Sequence, residues 1–187
     1  MGQIIFFITL FVWVGFDIYL FFIHNRKYSK KLQEKRSKYI MLVFILTGMF
    51  GAVAIDGKSK LYFMEPFTIT RYVGIILMIF TVVIRIMVVK QLGPAFNIDI
   101  GTLPDQNLQT TKLFRVIRHP AYAAEIVGFI GLAIAFNYVL SSLMAFILPT
   151  IGVLYRLLVE EKYLRTTFGN KYIEYSRRTW RLIPFVF

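Results

Sequence analysis

The chain has 187 residues, 57% of them hydrophobic, a mean hydropathy of +0.63 and a formal net charge of +12. Soluble domains carry about 45–50% apolar residues, so the composition excludes an ordinary soluble domain, while the length suits one membrane domain over residues 1–187. With no cysteine and only two histidines, His24 and His119, the chain excludes disulfides, thiolate metal sites, a cysteine nucleophile and a histidine-rich metal centre.

Residues 4–23, IIFFITLFVWVGFDIYLFFI, are a run of twenty with one charge, Asp17. About 20 apolar residues span the hydrocarbon core. The run is expected to be a span and not a signal peptide, because no basic stretch precedes it and no small-residue cleavage site follows. The loop 24–38 then carries seven Lys/Arg and one acid. Residues 39–55 read as a second span, followed by a loop over 56–70 with two Lys and two acids. Residues 71–89 read as a third span with Arg85 near its end, and the segment 90–118 carries four Lys/Arg.

Residues 120–159 are too long for one span, and Asn137-Tyr138 divides them into 121–136 and 139–159. At ~1.5 Å per residue the first arm reaches only ~24 Å, short of the ~30 Å core. It is therefore expected to be short or to continue upstream. The tail from Lys162 holds six Lys/Arg. Positive charge stays on the cytoplasmic side of a membrane, which predicts five spans, the N-terminus outside and the C-terminus in the cytosol. The basic residues flank apolar runs, so their expected partner is the lipid surface and not nucleic acid. The fold class expected is an all-α integral membrane protein of about five transmembrane helices, the last two forming a helical hairpin. Residues 1–89 would supply three N-terminal spans and 90–187 the functional region.

The ionisable residues of the spans gather at one level of that arrangement. Asp17, Arg85, Glu125, Arg156 and Glu160 all fall near the predicted cytoplasmic ends. Ionisable groups within a bilayer cost ~2.5 kcal/mol or more at a central position. Taken singly, Asp17 and Arg85 can snorkel or pair. The set around the fourth and fifth spans meets two polar segments and points to a functional site. In YRLLVEEKYL, residues 155–164, Arg156 and Glu160 are four apart and share a helix face, while Glu161 is turned by about 100°. One carboxylate can then face inward while the other meets solvent or the interface. In RVIRHPAYAAEI, residues 115–126, Pro120 suits a first helical turn and His119 the cap. His119, Tyr122 and Glu125 step three apart along one face, beside helix N–H groups able to receive a polar or anionic ligand.

RHPAY at 118–122, RLLVEEKYL at 156–164 and FGNKYIEYSRRTWRLIP at 168–184, in this order, resemble the isoprenylcysteine carboxyl methyltransferase and phospholipid methyltransferase superfamily. The resemblance covers roughly residues 90–184. It implies a membrane enzyme that holds S-adenosylmethionine in a cytosolic pocket and methylates a lipophilic acceptor arriving from the bilayer, most simply the carboxylate of an isoprenylcysteine-like molecule. On that pattern His119, Pro120, Ala121 and Tyr122 line the cofactor site, and Gln106, Asn107, Leu108, Gln109 and Phe114 belong to its loop. Glu160 contacts the cofactor and Arg156 faces the acceptor. Lys112 stands where many members have glycine, and Ala124 occupies a small position that is often glycine.

The chemistry of the side chains agrees with methyl transfer. Displacement at a sulfonium methyl depends on alignment, and Arg156 can grip a carboxylate with a bidentate fork. A phenol or amine acceptor would need a base, for which Glu125, Glu161 and His119 are candidates. Two other readings compete. A sterol-reductase-like enzyme with a nicotinamide cofactor would be expected to carry a phosphate-cradling glycine motif. A small transporter or scaffold would spread its charges across the membrane depth.

Overall fold

The computed structural model describes residues 2–24, 34, 36–56, 69–97, 99–101, 107–136 and 138–185, and among them every regular element is a helix. Helix α1 (Gly2–Tyr19) runs into a π-helical turn, Leu20–His24. Then come α2 (Arg36–Ile55), α3 (Ile69–Leu92), α4 (Pro120–Phe136), α5 (Val139–Phe168) and the short α6 (Asn170–Arg177). Short 3-10 turns at Gly93–Ala95 and Lys112–Arg115 lie between α3 and α4. Uninterrupted apolar runs become helices in lipid because a helix satisfies its own backbone hydrogen bonds.

Among the described residues, four helices are long and apolar enough to cross a membrane: Gly2–Phe22, Arg36–Ile55, Ile69–Ala95 and Val139–Phe168. The expected fifth, α4, is an apolar helix of 17 residues. It does not continue upstream, because Pro120 opens it and the chain before it is a 3-10 turn and extended backbone. The Asn137 break and the basic residues of 25–33 lie outside the described residues.

Small residues bring the helices close, as is usual when lipid removes the hydrophobic drive between helices. A Cβ on Gly131 of α4 would fall 2.7 Å from the Gly74 carbonyl oxygen of α3. A Cβ on Gly48 of α2 would fall 2.5 Å from the ring of Pro149, buried within α5. Thr81 of α3, fully buried, donates to the Ala124 carbonyl at 2.7 Å, and Ser142 of α5 donates to the Ala133 carbonyl at 2.6 Å. Helix α1 is anchored by aromatics, with Trp13 against Phe129 at 5.7 Å between ring centres and Phe6 against Phe136 at 6.0 Å. The C-terminal segment folds back on the approach to α4: Arg118 N–H donates to the Trp180 carbonyl at 2.7 Å and Trp180 N–H to that of Val116 at 3.1 Å. This backbone pairing brings the last motif to the start of α4.

Candidate active site

A cavity of about 320 Å³ lies where the two motif segments and the N-terminal helices meet. Its polar end is walled by Leu108, Gln109, His119, Tyr122, Glu160 and Tyr172. Its apolar end is walled by Val14, Ile18 and Phe21 of α1 and the π turn, and by Met41, Ile45 and Met49 of α2.

The start of α4 fixes the polar end. The His119 carbonyl accepts the Ala123 N–H at 3.0 Å, which makes His119 the cap residue expected from the sequence. Its buried ring stacks on Tyr122, 5.7 Å between centres. The ring also joins two consecutive carboxylates, with Nε2 3.0 Å from Glu161 Oε1 and Nδ1 4.0 Å from Glu160 Oε1. An ionised carboxylate only accepts, so a neutral imidazole holds its proton on Nε2 toward Glu161. Tyr122 donates to Glu160 Oε2 at 2.6 Å.

Of the two carboxylates, with Glu160 half-buried on the cavity wall, Glu161 is the one that faces inward. It is buried, is absent from the cavity wall and meets neither solvent nor lipid. Its Oε1 accepts from Arg118 Nε at 2.9 Å, His119 Nε2 at 3.0 Å and the Tyr172 hydroxyl at 2.8 Å. Arg181 Nε stands 3.5 Å from Oε2. A carboxylate so enclosed fastens α5, the start of α4 and the C-terminal segment together, and a base must reach its proton. The turn of the chain at Gly169, with φ +54, is what brings Tyr172 and Arg181 over this face of α5. Burial, then the Glu161 charge, raises the Tyr172 hydroxyl. Burial pushes the Tyr175 hydroxyl up to about 12, so it remains a donor to the Phe114 carbonyl, 2.7 Å away.

Of the other expected cofactor residues, Leu108, Gln109, Phe114, Pro120 and Ala121 line the cavity. Asn107 is exposed and outside its wall, and Gln106 lies outside the described residues. Arg156 lines the cavity at 2% exposure, against the Tyr122 hydroxyl. Its Nη1 donates to Glu34 Oε2 at 3.1 Å and to the Ser37 hydroxyl. Glu125 also lines the cavity, where it and Asp17 both accept from Nη1 of Arg85. The pairing alternative therefore holds for Asp17 and Arg85, with Glu125 as third member.

Sequence reasoning missed Glu34, Ser37, Arg118, Tyr172 and Tyr175 as parts of the site. Three of these signals were in plain view, since Arg118 opens RHPAY and the two tyrosines occupy F-G-x-x-Y-x-x-Y. Glu34 is the one acid among seven basic residues, three positions before Ser37 in the first turn of α2.

A helical membrane scaffold with a buried carboxylate cluster beside a cavity that apolar helices help to wall defines the class, and sequence comparison gives the family. The phospholipid methyltransferase family pattern matches residues 69–171, more than half of the chain, and the chain belongs to that family. It is similar to protein-S-isoprenylcysteine O-methyltransferase B of Arabidopsis thaliana, 24% identical over 160 residues, covering 84% of this chain and 78% of the relative. Isoform A of the same plant is 24% identical over 164 residues, covering 87% of this chain and 80% of the relative. A probable protein-S-isoprenylcysteine O-methyltransferase of Oryza sativa subsp. indica is 27% identical over 125 residues, and there the chain spans 65% of the relative, just under two thirds. The resemblance carried by the three motifs thus extends to the family, and the protein is a membrane methyltransferase by kinship.

Proposed function

We propose that the protein transfers the methyl group of S-adenosylmethionine to a lipophilic acceptor, the carboxylate of an isoprenylcysteine-like molecule, at the cytosolic side of the membrane. The observation that carries this reading is one cavity with two chemically different ends. The polar end fits the cofactor. Glu160 offers a carboxylate to its cationic groups or ribose hydroxyls, and the rings of Phe114, Tyr172 and Tyr175 offer flat surface to its base. When bound, S-adenosylmethionine supplies an electrophilic methyl on a sulfonium. The residues of this chain bind, align and exclude water: Tyr122, stacked on His119, holds Glu160 in place, and Arg156 orients the acceptor carboxylate. Alignment of this kind supplies much of the rate of a displacement. The apolar end, between α1 and α2, takes the lipid tail.

The basic loop after α1 and the basic tail favour a cytosolic site. The N-terminus lies outside and the C-terminus inside, provided that α4 crosses with α5 as a hairpin.

One observation favours a second acceptor class, a phospholipid amine. Asp17 and Glu125 set two carboxylates against one guanidinium, Arg85, on the cavity wall. Two carboxylates facing one guanidinium offer acceptors to an ammonium headgroup, with Glu125 the candidate to take its proton. Calorimetry with purified protein tests the cofactor. S-adenosylhomocysteine is expected to bind and NADPH not to bind, and the opposite pattern returns the protein to the reductase reading.

A further inference from the structure

We propose that Glu34 and Ser37, at the entry to α2, are positioning residues that set the plane of the Arg156 guanidinium toward the acceptor. The inference rests on the methyl-transfer reading above, and it concerns residues N-terminal to the matched family region, 69–171.

Arg156 is 2% exposed, and a buried guanidinium is tolerable only with compensating acceptors. Glu34 supplies the charge, with Oε2 3.1 Å from Nη1 of Arg156. The carboxylate is itself pinned on both oxygens. Oε1 accepts the Ser37 N–H at 2.8 Å, and Oε2 accepts the Ser37 hydroxyl at 2.5 Å. The same Ser37 oxygen then accepts from Nη1 of Arg156, which closes a ring of three residues. Burial pushes the Glu34 carboxyl up, but the two Ser37 hydrogen bonds and Arg156 outweigh it and hold the group below its ordinary value.

The backbone of Glu34 is fixed as well. Its N–H and C=O exchange hydrogen bonds with Ile100 at 3.2 Å each, and the neighbouring pair Lys38–Asp99 has side chains only 7% and 2% exposed. Asp99 and Ile100 are themselves cavity wall. The entry to α2 therefore reaches Arg156 from one direction while the cavity and Tyr122 meet it from another. A planar fork held at one nitrogen cannot spin about its stem, which is the difference between a point charge and an oriented clamp.

A purely structural role for the ring is poorly motivated. Helices α2 and α5 already approach through Gly48 on Pro149 and Gly152 on Phe44, where a Cβ would fall 2.5 and 2.7 Å from the facing side chain. Their packing does not need the ion pair.

The test uses the full chain in lipid nanodiscs, with labelled S-adenosylmethionine, N-acetyl-S-farnesylcysteine as acceptor probe and calorimetry with S-adenosylhomocysteine. Small misplacements of a positioning group cost up to about a hundredfold in rate. For Glu34→Ala, kcat/KM toward the probe is expected to fall by about tenfold or more, while cofactor affinity stays within about twofold. Glu34→Gln keeps one oxygen for the Ser37 hydroxyl and Arg156 but loses the charge and the acceptor for the Ser37 N–H, so it is expected to recover only part of the loss, and Ser37→Ala should also fall short of the full loss. Should Glu34→Ala fail to fold, the other two variants are read in the same way. Unchanged or raised turnover in these variants overturns the proposal, as does a parallel loss of cofactor affinity. Native protein that binds S-adenosylhomocysteine yet transfers nothing to the probe overturns the acceptor reading and this proposal with it. Active native protein beside equally active variants overturns the proposal alone.

Discussion

At the polar end of the cavity, one carboxylate oxygen of Glu161 receives three hydrogen bonds from three parts of the chain, and the cavity wall is held by directional contacts. At the apolar end the wall is α1, the π-helical turn and α2, where side chains such as Ile18, Phe22 and Leu46 are about half exposed and offer apolar surface beside Asp17. Directional contacts tolerate little change, because removing one partner leaves another buried and unsatisfied. An apolar wall discriminates a missing methylene by only about 1–3 kcal/mol. A fixed polar end and a permissive apolar end suit the proposed transfer, in which one cofactor meets a lipophilic acceptor. The ion-paired triad of Asp17, Arg85 and Glu125, and the ring of Glu34, Ser37 and Arg156, are the points where the permissive end acquires chemical preference.

That contrast can be broken most sharply at Glu161. Glu161→Ala leaves Arg118 buried without its partner, and breaking a buried pair costs about 3–5 kcal/mol. The expected result is a large drop in thermal stability in detergent together with loss of S-adenosylhomocysteine binding. Glu161→Gln should lose less, since it preserves the shape and one acceptor oxygen. If Glu161→Ala keeps native stability and loses only turnover, the residue is catalytic and not a fastening.

Arg156→Ala comes next. Turnover should collapse while cofactor affinity changes by less than about tenfold, or ~1.4 kcal/mol. Arg156→Lys should also be impaired with a carboxylate acceptor, because it keeps the charge and loses the fork. Loss of cofactor binding with near-normal turnover at saturating cofactor would move Arg156 to the polar end.

Smaller effects are expected for Glu160→Ala and His119→Ala, which should weaken S-adenosylhomocysteine in calorimetry while the fold persists. Normal binding by both variants would remove these residues from the cofactor site. Thr81→Val should be smallest, about 1 kcal/mol from a single buried hydrogen bond between α3 and α4, with turnover intact. A large loss of activity there would mean that the α3–α4 contact tunes the site.

The sequence made the helices legible because each apolar run is long and bounded by charge, and α4 alone fell short because Pro120 fixes its start. His119, Tyr122 and Glu160 were legible as one group, since local helical spacing sets their faces. The fate of Glu161 was not. A rotation of about 100° from Glu160 shows that the two diverge, but only the return of the chain at Gly169 puts Tyr172 and Arg181 over the second carboxylate. The partner of Arg156 was further out of reach. Glu34 is 122 residues away, in a loop whose composition speaks of lipid surface and not of a buried contact.

Reporters fused after Phe187 and within the 56–70 loop separate the two possible roles of α4. Cytosolic and external signals respectively are expected if α4 crosses with α5. An external C-terminal reporter beside an external 56–70 reporter would mean that α4 does not cross, and inversion of both signals would reverse the orientation.

The central claim is methyl transfer into the apolar end of this cavity, and labelled transfer in vesicles tests it most directly. Purified protein given tritiated S-adenosylmethionine with N-acetyl-S-farnesylcysteine, and separately with phosphatidylethanolamine, is expected to label the first as a base-labile ester and to leave the second unlabelled. Label on the phospholipid amine alone would assign the acceptor to the charge of Asp17 and Glu125 instead of Arg156. Label on neither, in protein that binds S-adenosylhomocysteine, would contradict the account of the apolar end.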